Sequence, residues 1–167
     1  TYRNRCLIAT TAGTQALTVP TEHGESTKCS MADMRVSDHG NWRHLHWNAL
    51  LSAYGESPFF EYYADDLRPF FEQRWESLFD FNLAITHKLC ELLDIRPNLQ
   101  LTDHYADASE LGADDFRDAI RPKKPLPDPS FEPTPYYQVY QQKHGFQPNL
   151  SILDLLFNEG NEAIFYL

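Results

Sequence analysis

The chain has 167 residues, of which 42% are hydrophobic and 23% charged, a composition that suits one folded domain and excludes a fibrous repeat or a disordered tract. Its formal charge of −10 opposes phosphodiester backbones and anionic membranes, whose binding is driven by Lys and Arg, so no nucleic-acid partner is expected. No apolar run approaches the roughly 18 residues of a membrane-spanning helix, no signal-peptide pattern is present, and Cys6, Cys29 and Cys90 have no paired spacing. Together these predict a protein of the reducing cytoplasm, without membrane insertion and without a disulfide framework.

The chain opens TYRNRCLIAT, with no initiator Met and a strand candidate only a few residues in, so a natural N-terminal segment is expected to precede Thr1. Cys6 to Thr10 and Ala16 to Val19 are β-prone runs joined by a turn at Gly13, which reads as a hairpin. The polar stretch Thr21 to Ser30 reads as a surface loop, and Met34 to Ser37 as a third short strand. At Asn41, a fair N-cap, the period changes. Trp42, Leu45, His46, Ala49, Leu50 and Ala53 fall on one helical stripe that Gly55 closes.

Beyond Pro58, the helical stretch Phe59 to Gln73 carries Pro69, which demands a kink or a restart. Glu76 to Leu93 is the strongest helix, with Leu78, Phe81, Ile85, Leu89 and Leu92 facing the core. A strand is predicted at Leu99 to Asp103 and a short helix around Ala113 to Ile120. Arg121 to Pro135 carries six prolines and must run extended across the surface. Asn149 is expected to cap a helix through Phe157, and Ala163 to Leu167 reads as a closing strand. Strands first, helices in the middle and a helix-then-strand finish predict an α/β or α+β fold, a single domain with a mixed sheet of short strands covered by helices.

The stretch from Ser37 to Leu50 concentrates the polar chemistry. His39, His44 and His46 lie beside Asp38, and imidazole with carboxylate suits zinc. Helix geometry argues against it: residues two apart project about 200° from each other, and a helical metal pair needs a spacing of three or four. No metal site is therefore predicted. The three histidines remain acid–base candidates, because imidazole titrates near neutrality. Asp103 with His104 offers the same chemistry. Arg5 and Arg43, with Arg3 and Arg35, form a cationic mouth for a phosphate or carboxylate if the fold brings them together, and otherwise scattered ion pairs.

Tyr136, Tyr137, Tyr140 and Phe146 precede a helix start at Asn149 to Ser151, where backbone N–H groups suit an anion and a ring suits stacking. A plain cap with Ser151 and Asp154 in a capping-box variant accounts for the same residues. No Walker loop, dinucleotide fingerprint or nucleophile elbow occurs, and no cofactor is assigned.

YRNRCLI, LTVP, VSDHGNWRHLHWNAL, SPFFEYY, the FDFN pair and PYYQVY followed by PNLSILDLLFNEG together resemble the WbqC-like family in its compact form, over nearly the whole chain. The resemblance implies a bacterial cytoplasmic protein whose relatives often sit among genes for O-antigen or other surface-polysaccharide assembly. The upstream Tyr- and Pro-rich segment and the central Gly-rich region of longer members do not occur in this chain. Matching motifs carry over Asn4, Arg5, Trp42, His46, Tyr54, Asn82, Tyr137, Gln138, Ser151 and Asp154 as candidate site residues without assigned roles.

Three functions follow as expectations. One is an enzyme, a transferase on a nucleotide-activated sugar or acyl donor, with Arg5 and Arg43 as anion contacts and His39, His44 or His46 as acid or base. Another is a non-catalytic partner of the pathway's proteins. Metal-dependent hydrolysis is a third. Convergence of Arg5, Arg43, the histidines, Ser151 and Asp154 on one cleft favours the enzyme, and dispersal favours the partner protein.

Overall fold

The computed structural model describes residues 2–22, 29–112, 114–117, 120–122, 126, 129 and 131–167. Strands β1 (Arg5–Thr10) and β2 (Gly13–Thr18) pair antiparallel, from Arg5 opposite Thr18 to Thr10 opposite Gly13. Gly13 turns the hairpin at a φ of 115°, in the region that favours glycine. Thr10 ties the turn down, its hydroxyl donating to the Gly13 carbonyl and accepting from the Ala12 N–H.

The third β-prone run forms isolated bridges rather than a strand of that sheet. Val36 pairs with Thr21 on one side and Arg35 with Ser77 on the other. The Val36 N–H donates to the Glu76 carbonyl and the Glu22 N–H to the Arg35 carbonyl, so three extended segments lie side by side. Among the described residues the sheet proper is thus the two-stranded antiparallel hairpin, and the fold is α+β.

Helix α1 (Trp42–Tyr54) buries Trp42, His46, Leu50, Ala53 and Tyr54. Leu45, expected on that stripe, is 59% exposed, because spacing by four selects a narrower face than the predicted one. Asn41 occupies the cap position in a left-handed conformation and makes no side-chain cap bond.

Helix α2 (Phe60–Leu67) buries Phe60, Tyr63 and Leu67. Pro69 then restarts the chain as the first residue of α3 (Pro69–Glu72), where its missing N–H costs nothing. Helix α4 (Leu78–Leu92) starts at Ser77, whose hydroxyl accepts from the Asp80 N–H, and buries Leu78 and Phe81, with Ile85, Leu89 and Leu92 half-buried against the core.

Leu99 to Asp103 forms no strand; both leucines there are exposed, so no sheet edge receives them. A single helical turn, α5 (Ala108–Leu111), precedes the helix expected around Ala113 to Ile120, of which Ala113, Asp118 and Ala119 lie outside the described residues. So do residues 23–28 of the predicted loop and 123–125, 127, 128 and 130 of the proline-rich run.

After α6 (Gln141–His144), helix α7 (Ile152–Glu159) buries six consecutive residues, Leu153 to Asn158. Its cap is Ser151, which accepts from the Leu153 N–H, and not Asn149, which is left-handed and donates its amide to the Tyr2 hydroxyl. The expected closing strand is a 3-10 helix over Gly160–Tyr166, in which Ala163 faces the core while Ile164 and Phe165 point outward. Gly160 permits this reversal: its φ is 59°, and a Cβ would stand 2.7 Å from the Phe59 ring.

The core is aromatic. Trp47 packs on Phe60 and Phe71, Trp42 on Phe81, and Phe157 on both Tyr54 and Phe60, with centroids 5.0–5.9 Å apart. The high aromatic content therefore serves packing before anything else.

Candidate functional site

The polar residues singled out by sequence separate into two places. At the C-terminal end of α1, Asp154 is fully buried and accepts three hydrogen bonds, from the Tyr54 hydroxyl (2.8 Å), the Tyr136 hydroxyl (2.7 Å) and the Gln138 amide (3.0 Å). Tyr54 in turn accepts from the Ala9 N–H of β1 (3.0 Å). Gln138 is closed in a two-way clamp with the Gln147 backbone, and the Asn158 amide donates to the Asp154 carbonyl. Burial pushes the Asp154 carboxyl above its ordinary value, against the three donors that lower it. The same burial, with the nearby carboxylate, raises both tyrosines.

Ser151 joins this hub from the side. Its N–H donates to the Leu7 carbonyl (2.7 Å), and its hydroxyl meets Cys6, whose thiol burial pushes up. Of the expected capping box, the Ser151 half holds, while the Asp154 side chain turns inward to the tyrosines. Tyr137 stands half out in solvent, its backbone N–H held by Glu159. A carboxylate this enclosed, with every donor engaged, holds four segments together and offers no face to a ligand.

The second place lies at the start of α1. Asp38 accepts from Arg43 (2.5 Å) and pairs with Arg74 (2.9 Å), and the Arg43 bond holds its carboxyl below the usual range. Arg43 also lies 5.5 Å from the centre of the Trp42 ring. Beside them Arg35, Arg74, Trp75, Glu22, Val36 and Glu76 line a groove of about 220 Å³. The bridges made by Arg35 and Val36 set these residues shoulder to shoulder. Arg35 makes no ion pair among the described residues and is exposed. Trp75 is held rigid by a parallel stack on Phe70 (5.9 Å, 6°) and by its indole N–H donating to the Phe70 carbonyl.

The histidines do not share a site. His46 is buried, edge-on to Trp42 and Phe71, and bonds to the Thr18 backbone; burial lowers its pKa, the Thr18 bond opposing. His44 is exposed and meets the Asn48 amide (2.8 Å), and His39 is exposed ahead of the helix. Among the described residues no group of His, Cys, Asp and Glu is placed to hold a metal. Asp103 and His104 pair at 2.6 Å on a wide depression of about 670 Å³, and both are exposed to solvent.

Asn4 closes the hairpin mouth, its amide donating to the Val19 carbonyl and its own carbonyl accepting from the Val19 N–H, and Asn82 donates to the Arg3 carbonyl. Arg5 is half-buried, and among the described residues neither its Nε nor the indole N–H of buried Trp42 has a hydrogen-bond partner. Arg43 and Tyr54 lie eleven positions apart on α1, about 16 Å along its axis. The candidates therefore do not converge on one cleft. Arg74 and Trp75 escape sequence reasoning because nothing local to them indicates Asp38, 36 positions earlier; only the FEQRWES ending of a helix, a charged and aromatic break before a capped restart, marks the place.

The fold and its polar groups define an α+β domain with an aromatic core, a sealed carboxylate hub and one open groove bordered by arginines. The chain belongs to the WbqC-like protein family, whose model matches residues 1–120 and 128–166. It is also similar to an uncharacterized protein of Mycobacterium tuberculosis, 29% identical over 188 aligned residues that cover 99% of this chain and 81% of the relative. No solved structure matches it. Among the described residues no helix is long and apolar enough to cross a membrane, and all three cysteines are free.

Proposed function

We propose that this WbqC-like chain binds an activated sugar or acyl donor used in surface-polysaccharide synthesis. The observation that supports this is the groove at Arg35 and Arg74, where the Arg35 guanidinium has no ion-pair partner among the described residues of a protein of net charge −10. The planar guanidinium fork of arginine pairs bidentately with a carboxylate or phosphate, and such donors carry one. The dispersal of His39, His44, His46 and Asp154 argues against a single acid–base centre built from them, so the reading is donor binding, with transfer chemistry left to residues that border the groove.

A thermal-shift panel of nucleotide-sugars and acyl-coenzyme A donors tests it. Stabilisation by several degrees is expected from at least one, since a ligand that binds only the folded chain raises its melting point. A flat panel removes the proposal.

A non-catalytic partner role has one observation in its favour. Ile164, Phe165 and Leu167 are exposed together at the end of the chain, with Phe165 at 81%, and exposed apolar clusters mark contact sites. Co-purification of a stoichiometric partner that is lost in Phe165→Ser is the corresponding test.

A further inference from the structure

Three features of the groove point to one part of such a ligand. The first is size. At about 220 Å³ it is smaller than the roughly 300–1,000 Å³ that encloses a whole drug- or cofactor-sized ligand. It suits a single ring with one charged substituent and leaves a nucleoside outside.

The second is chemistry. Arg35 and Arg74 suit phosphate oxygens, the Glu22 and Glu76 carboxylates accept from sugar hydroxyls, and the partly buried Trp75, fixed between Phe70 and Phe81, adds a small apolar surface to the groove wall for the C–H groups of a ring.

The third is the state of the arginines. Asp38 engages Arg43 and Arg74 together, so Arg74 is shared, while Arg35 is not engaged by any carboxylate among the described residues. Around the groove three arginines face three carboxylates, Asp38, Glu22 and Glu76. Asp38 holds the Nε of Arg74, so its negative charge opposes an incoming phosphate at the remaining Arg74 donors.

Resting on the donor-binding reading above, we infer that the groove takes the sugar-phosphate end of the donor, the phosphate bridging Arg35 and Arg74 and the ring lying against Trp75, with Asp38 as an internal competitor for Arg74. Arg35 and Arg74 are exposed, and Arg35 enters its bridge through the backbone, so both side chains are replaceable without disturbing the core.

Isothermal titration of the full chain with the 1-phosphates of glucose, galactose and N-acetylglucosamine, their uridine diphosphate forms, the free sugars and inorganic phosphate provides the test. At least one sugar phosphate and its nucleotide form are expected to bind. Arg35→Gln and Arg74→Gln each weaken both by tenfold or more, Asp38→Asn tightens both by threefold or more, and the free sugar and inorganic phosphate bind at least tenfold more weakly. If a nucleotide-sugar binds with an affinity that neither arginine substitution changes, the groove assignment is overturned while donor binding stands. Inorganic phosphate binding as tightly as the sugar phosphates overturns the sugar assignment, and an Asp38→Asn affinity that is unchanged or weaker overturns the competitor role. If no donor in either panel binds, both readings fall.

Discussion

Asp154 and Asp38 are both carboxylates held by several donors, near opposite ends of α1, and their surroundings give them different capabilities. Asp154 is sealed among tyrosines and amides, with no arginine or lysine against it among the described residues. Asp38 is exposed, held by the Arg43 and Arg74 guanidinium groups, and borders a groove. Burial makes the first indispensable to the fold and unavailable to ligands. Exposure makes the second nearly irrelevant to stability and available for exchange.

The strongest way to break this contrast is Asp154→Ala. It leaves two phenols and one N–H of the Gln138 amide without an acceptor, and a loss of roughly 2–4 kcal/mol is expected at neutral pH. Urea unfolding reads it, and a loss below about 1 kcal/mol shows that the hub is not structural.

His46 sharpens the contrast through pH. Its folded-state pKa lies below the ordinary value of about 6.5, so the unfolded chain takes up the proton first. Its contribution is complete above that pH and is lost as pH falls through the folded value. Wild-type stability measured against His46→Phe should therefore decline as the pH falls below about 6.5. A parallel pair of curves contradicts the assignment. Asp154 has the opposite sign: with its carboxyl raised, its contribution is complete below about pH 3.9 and declines as pH rises through the folded value.

The smallest effect belongs to the groove. Arg35→Gln and Arg74→Gln should each change unfolding free energy by less than about 0.5 kcal/mol. A larger loss means that the groove is a structural brace.

Much of the fold is legible in local sequence because its causes are local. Gly13 marks the hairpin, Pro69 the restart, and the Leu78–Phe81 spacing the long helix. What is not legible depends on partners far away. Asn149 looks like a cap, yet the chain uses Ser151 because the Ser151 N–H reaches Leu7. Ala163 to Leu167 has strand composition, but Gly160 against Phe59 turns the chain before any edge is available. Of the candidate site, Asp154, Tyr54, Gln138 and Ser151 do come together, in a hub rather than a ligand pocket. Arg43 finds Asp38 five residues away, whereas Arg74 and Trp75 arrive from a different helix end and carry no local signature of that meeting.

The hub also has a consequence for how the chain comes to be folded. Its bonds join Ala9, Tyr54, Tyr136 and Asp154, and the Tyr54–Asp154 bond alone spans 100 positions. During synthesis, β1 and the aromatic side of α1 must therefore wait, unpaired along that edge, until α7 has emerged. Closure over such separations is slow, and the waiting surface is open to wrong contacts. The late α7 acts as the keystone of folding, and slowing its delivery lengthens the interval in which the nascent chain is vulnerable.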